Sequence, residues 1–221
     1  MQLIGAPRRP EIDQYAIKFI IGAIAFSLPL IEIALTQASI TSISASFWWD
    51  AGPWPRNILV GFLFAIAAFL LAYNGLSETE MWLAKIAALA ALGIAMFPCE
   101  CGDPTHVILR DVHGISAAAM FAVLTAFCYI FMRRAREKGH RQARRRAAIY
   151  VLCGIGMIVS ILLFVLQALT RREVLVLWGE SVGLMSFGIS WLTASRMLPV
   201  VTQPGERQKL VVGGSPTRPT P

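Results

Sequence analysis

The sequence predicts an all-α polytopic membrane protein, a bundle of six transmembrane helices with both termini in the cytoplasm. Three observations carry that prediction: an apolar composition, a succession of apolar runs of bilayer length, and a lopsided distribution of lysine and arginine. Of 221 residues, 56% are hydrophobic and only 15% charged, with a mean hydropathy of +0.61. A soluble domain spends about a quarter of its residues on Asp, Glu, Lys and Arg to cover its exterior. Lipid is therefore the expected solvent for most of this surface.

Apolar runs read at 15–36, 57–75, 81–98, 112–132, 147–169 and 174–195, against the roughly 20 residues that cross a bilayer as helix. The first run follows Arg8, Arg9, Glu11, Asp13 and Lys18. That start is late for a cleavable signal peptide, and no convincing small-x-small site follows, so the helix is expected to remain in the mature chain behind a cytoplasmic tail, 1–14. The second run is short and follows Trp48, Trp49 and Trp54, which together with Trp82, Trp178 and Trp191 read as interfacial anchors. Small residues at four-residue spacing, Ala84 and Ala88 or Ala91 and Ala95 in the third run and Gly179 and Gly183 in the sixth, allow close helix approach and a compact bundle. Residues 15–198 thus form one transmembrane domain. Beyond it, Pro199, Pro204, Gly213, Gly214, Pro216, Pro219 and Pro221 break up a stretch of low apolar content, so 199–221 is expected to be a disordered cytoplasmic tail. No internal repeat of the kind built into inverted-repeat transporters is visible.

Orientation follows from the cations. With the amino terminus inside, 16 of the 20 lysines and arginines fall on the cytoplasmic side, leaving Arg56, Arg110, Arg171 and Arg172 outside. The positive-inside rule therefore selects both termini in. Half of those 16 lie in one segment, Arg133 to Arg146, read as the cytoplasmic loop between the fourth and fifth helices. Its expected partners are membrane lipids, through anionic headgroups. No aromatic residues are interleaved to stack on bases, so no nucleic acid is expected despite the net charge of +7. A membrane-protein partner or a second copy of the chain is compatible with the sequence.

Ionisable groups inside a span cost about 2.5–3.5 kcal/mol at a helix centre and ask for a partner or a purpose. Glu32, about one turn from the outer end of the first helix, and Glu180, nearly two turns into the sixth, stand out. Arg56 begins the second helix and His113 the fourth at the same level, with Asp50 and Asp111 near enough in sequence to join. One reading is a structural latch, with Arg56 neutralising one glutamate and His113 donating to the other. The other is an outward-facing cavity in which a carboxylate beside His113 accepts a proton, for ligand binding or for acid–base chemistry on a lipid or small periplasmic molecule. Sequence supplies the depth of these groups and not their azimuth.

Cys128 and Cys153 fall inside spans and read as small apolar residues. Cys99, Cys101, His106 and His113 spell C-x-C-x4-H-x6-H, enough donors for zinc at a spacing unlike the familiar zinc sites. On an oxidising side, a C-x-C bridge or plain thiols compete with a metal, so no metal or cofactor is assigned. Phosphate-cradling glycine loops, nucleophile elbows and H-E-x-x-H helices are absent. Ser39, Ser42, Ser44 and Ser46 read as loop or helix-end polar groups.

The segments S-I-S-A-S-F-W-W at Ser42 to Trp49, R-N-I-L-V-G at Arg56 to Gly61, A-L-G-I-A-M-F-P at Ala91 to Pro98, H-G-I-S-A at His113 to Ala117 and W-G-E-S at Trp178 to Ser181 together resemble an uncharacterised family of small bacterial inner-membrane proteins with six spans, grouped under a domain-of-unknown-function heading. The resemblance implies the six-span fold, residence in the bacterial inner membrane, and a grouping of Arg56, His113 and Glu180; it implies no activity. A more distant similarity is to the seven-span hydrolases that include alkaline ceramidases, whose zinc site uses three histidines. The sequence departs from them decisively, since only His113 lies at a span. The expectation is an integral inner-membrane protein with a periplasm-facing cluster of Glu32, Arg56, His113 and Glu180, binding or sensing a lipid or small ligand or serving as a structural subunit. The alternative is a membrane-embedded hydrolase acting on a lipid-like substrate.

Overall fold

The computed structural model describes residues 13–37, 39–101 and 111–208. Six helices form: α1 (Gln14–Leu35), α2 (Trp54–Ala72), α3 (Glu78–Met96), α4 (Val112–Glu137), α5 (Arg141–Thr170) and α6 (Val174–Ala194). All six are long and apolar enough to cross a membrane, and there is no strand among the described residues. The chain is a six-span helical bundle.

The boundaries follow local chemistry. Asp13 caps α1 by accepting from the Tyr15 N–H at 2.8 Å, and Ser77 caps α3 by accepting from the Glu80 N–H at 3.3 Å. α2 starts earlier than its apolar run because Pro55 sits in the first turn, where its missing N–H would have no helical partner anyway. The basic segment between the fourth and fifth spans is mostly helix rather than loop. Its Ala, Arg, Gln and Glu content favours helix, Arg133 and Glu137 pair at 3.3 Å one turn apart, and the connection shrinks to a turn through Gly139, whose φ of +70° suits glycine.

Consecutive helices pack antiparallel, and α6 closes the ring against α1. That closure is backbone against backbone. A Cβ on Gly22 would lie 2.7 Å from the Leu192 nitrogen, and one on Gly188 would lie 2.7 Å from the Phe26 nitrogen, so only glycine admits the crossing. The Ser160 hydroxyl ties α5 to α6 by donating to the Gly179 carbonyl at 2.6 Å. Trp191, expected among the interfacial anchors, is instead fully buried. Its ring meets Tyr73, Phe127, Phe131 and Phe187 at centroid distances of 5.2 to 5.9 Å, an aromatic core that belongs to the residue's inward azimuth on α6. Trp54, Trp82 and Trp178 do remain exposed. α5 turns Leu152, Ile155, Leu162, Leu166 and Leu169 outward, the surface expected of a lipid-facing helix.

The bundle has two ends. The far end gathers the α1–α2, α3–α4 and α5–α6 connections. The terminal end gathers the start of α1, the close of α6, and the turns between α2 and α3 and between α4 and α5. At the terminal end the first residues of the segment expected to be disordered are folded: Pro199–Val201 and Pro204–Glu206 form 3-10 turns. Arg146 holds them, donating to the Val201 carbonyl at 2.9 Å and pairing with Glu206 at 3.1 Å. Composition alone favoured disorder because it does not register a docking carboxylate. Residues 209–221 lie outside the described residues, as does most of the 1–14 tail.

Candidate functional site

At the far end, residues 39–53 fold back over the bundle, and their 3-10 turn Ser44–Trp48 begins directly above Glu180. The Glu180 carboxylate accepts from the Ile43 N–H, from the Ser44 N–H at 3.4 Å and from the Ser44 hydroxyl at 2.5 Å. A side chain of α6 thereby caps a turn of another connection, more than 130 residues away in sequence. The Leu177 N–H, donating to the Thr41 carbonyl at 3.1 Å, pins the same loop a second time.

His113, in the first turn of α4, completes a row. Its Nδ1 lies 2.8 Å from the Phe97 carbonyl and its Nε2 lies 3.2 Å from Ser44 Oγ. A carbonyl only accepts, so Nδ1 carries a hydrogen. With Glu180 ionised and His113 neutral, the single Ser44 hydrogen would face two acceptors. One further proton, on Glu180 or on His113, supplies every contact in the row with a hydrogen. The arrangement Glu180–Ser44–His113 therefore accommodates a proton at either end without moving a heavy atom.

Directly below is an apolar cavity. Leu28 of α1, Leu63 of α2, Ile94 of α3, Ala117 and Phe121 of α4 and Leu184 of α6 are among its walls, and Ser44 and Glu180 provide its polar groups. Apolar walls with a few polar groups are the make-up of a small-molecule site.

The structure thus joins His113 and Glu180, through a serine that nothing in the sequence set apart from Ser39, Ser42 and Ser46. Arg56 does not join them. Its side chain is exposed, lies over the Phe47 ring at 5.3 Å, and makes no ion pair among the described residues. The expected neutralisation of Glu32 or Glu180 by Arg56 is not formed, because an arginine in the first turn of α2 reaches outward more cheaply than inward and Glu180 is already served by N–H and O–H donors. Asp111 also stays outside, its N–H donating to Glu100 at 3.2 Å. Glu32 is fully buried, and neither of its carboxylate oxygens has a hydrogen-bond partner among the described residues. Cys99 and Cys101 are joined by a disulfide, which takes both sulfurs out of any metal donor set. The Trp48 indole donates to the Cys99 carbonyl at 3.0 Å and fastens this loop to the turn above Glu180. His106 lies outside the described residues.

A second polar cluster, at the terminal end, was not singled out in the sequence. Glu80, fully buried, pairs with Arg134 and accepts from the Tyr73 hydroxyl at 2.8 Å and the Leu76 N–H at 3.2 Å. Glu206 pairs with Lys138 at 2.6 Å and Arg146 at 3.1 Å, with the His140 ring at 3.5 Å. Partial burial alone would raise its pKa; the Lys138 hydrogen bond and the Arg146 charge outweigh that and hold the carboxyl at about 2. The sequence signals were present, an acidic residue three places after the Ser77 cap and a lysine inside the first span, but each reads equally as a helix-end charge.

Compared with protein-family models, with curated proteins and with solved structures, the chain matches none.

Proposed function

We propose that this integral membrane protein binds a lipid-like small molecule at its far end, with an apolar chain in the cavity and a hydroxyl or carboxyl head at Ser44 and Glu180. The observation that carries this reading is the opening of an apolar-walled cavity onto one hydrogen-bonded polar pair. The exchangeable proton of the Glu180–Ser44–His113 row gives the head a donor or an acceptor as it requires. In this reading the protein sits in a bacterial inner membrane with its terminal end in the cytoplasm, which the cationic bias supports, and its far end facing the periplasm. Alkaline phosphatase fused after Arg110 is then active and fused after Lys138 inactive, and the reverse pattern overturns the orientation.

The test of binding is chemical. Solvent extraction of protein purified in mild detergent, followed by mass spectrometry, should release a lipid-like compound, and a fluorescent fatty acid should compete for its place. Ala117→Phe, which fills the cavity, should reduce fatty-acid binding by about tenfold or more. Absence of both an extracted compound and fatty-acid binding in the unaltered protein ends the proposal.

A structural role has its own support, since Glu180 accepts from two backbone N–H groups and so latches the α1–α2 connection onto α6. The hydrolase alternative draws less. A serine nucleophile needs its base oriented by an acid, whereas Glu180 holds the Ser44 hydroxyl and the far nitrogen of His113 rests on a backbone carbonyl.

A further inference from the structure

At the terminal end, a pocket is walled by Lys18, Arg134, Lys138, Arg146 and Arg196, with Tyr15 and Tyr150 beside them. Three of the five cations are committed. Arg134 pairs with Glu80, and Lys138 and Arg146 pair with Glu206. Lys18 and Arg196 have no carboxylate within ion-pairing distance among the described residues. Five positive side chains thus face two carboxylates, and the excess sits on the two that lack a partner.

Lys18 is the more telling. It is only 4% exposed, and its ammonium is surrounded by ring faces, with the Phe131, Tyr73 and Tyr15 centroids at 5.0, 5.3 and 5.6 Å. Ring faces offset part of the charge but satisfy none of three N–H donors in the way oxygen does. Glu80, the carboxylate nearest in charge to it, is already taken by Arg134 and Tyr73. Arg196 likewise lies over the Tyr15 ring, at 5.1 Å. A buried ammonium and a half-buried guanidinium that share one aromatic ring and open onto one pocket make a site for an oxyanion with several acceptor oxygens.

We infer that this pocket binds a phosphate group, with Lys18 and Arg196 as the ligand-binding cations and the paired Arg134 and Arg146 shaping the cradle. A carboxylate offers two oxygens, whereas donors arriving from α1, α4, α5 and the end of α6 converge from several directions and suit a tetrahedral anion. The group could be presented by an anionic phospholipid or by a soluble phosphate ester, and the experiment separates the two.

The full-length protein in mild detergent is titrated with phosphatidylglycerol, with phosphatidylcholine of the same acyl chains, and with glycerol phosphate. Dissociation constants come from native mass spectrometry or thermophoresis, and melting temperature is recorded in parallel. Phosphatidylglycerol should bind and raise the melting temperature, and phosphatidylcholine should do neither. Comparable binding of glycerol phosphate identifies a soluble source; binding of the anionic lipid alone identifies the headgroup. Lys18→Met and Arg196→Gln should each weaken the bound anion by about tenfold, and neither leaves a carboxylate without its cation. Arg172→Gln, at the far end, should change nothing. If neither anion binds, or if both variants bind as the unaltered protein does, the inference is wrong. Should Lys18→Met fail to fold, Arg196→Gln and the ligand-induced melting shift of the unaltered protein still decide the matter.

Discussion

The two ends of this bundle solve the same problem in opposite ways. At the far end, the Glu180 carboxylate is served by neutral donors, two backbone N–H groups and a hydroxyl. At the terminal end, Glu80 and Glu206 are served by guanidinium and ammonium groups. Neutral donors fix a loop in place and leave a proton free to redistribute along the row. Full charges fix helix ends and a returning segment, and leave a surplus of positive potential. The first arrangement suits a ligand recognised by shape and hydrogen bonding, the second one recognised by charge.

That contrast can be broken experimentally, most severely at Glu80. Glu80→Gln leaves Arg134 and the neighbouring Lys18 without a compensating carboxylate in a buried setting, and should cost about 3–5 kcal/mol, read as thermal unfolding in detergent. A loss no larger than that of a surface substitution would mean that water or lipid already neutralises these cations. Glu180→Gln should be milder, about 1–3 kcal/mol, because the amide retains one acceptor and turns an N–H toward donors. Ser44→Ala, which severs the link between Glu180 and His113 and keeps the backbone bonds, should cost about 1 kcal/mol. A cost for Ser44→Ala matching that of Glu180→Gln would show that the hydroxyl, rather than the backbone cap, holds the loop.

A pH titration sharpens the contrast further. The Glu206 carboxyl is held at about 2 in the folded protein against an ordinary 4.5. A depressed pKa contributes stability that is complete above the unfolded value and is lost as pH falls through the folded one. Docking of the 199–208 segment should thus be full above about 4.5 and fade toward about 2. A fluorophore at Val200→Cys, an exposed position, should report the release as falling anisotropy. Release centred near neutral pH would show that Glu206 does not govern the docking. The smallest effect belongs to Arg56→Ala, about 0.5–1 kcal/mol for an exposed contact with an aromatic ring; a larger loss would restore Arg56 to the cluster that sequence reasoning assigned it.

The six spans were legible because lipid imposes a length and a hydropathy on each, and both are properties of a contiguous run. The end of the bundle at which Glu32, His113 and Glu180 lie was legible for the same reason. Which of them meet was not, because meeting depends on azimuth and on what the connections do. Ser44 carries the link between His113 and Glu180 from a loop, where no periodicity marks one serine among four. Arg56 stays apart for a complementary reason: it lies at the same end of the bundle, and its side chain turns away. The terminal-end network escaped notice because Arg134 belongs to a run of cations whose sequence signature is topological, and a topological signal hides an individual partnership.

The glycine crossing between α1 and α6 bears on how the protein is made. Of these six helices, α1 finds its tightest partner only when α6 has been made, so α2 to α5 must wait in the lipid before the ring can close. Until then the face of α1 around Gly22 stands on an unsealed flank. A chain truncated before α6 should therefore be a substrate for membrane quality-control proteases, even with five of its six spans intact.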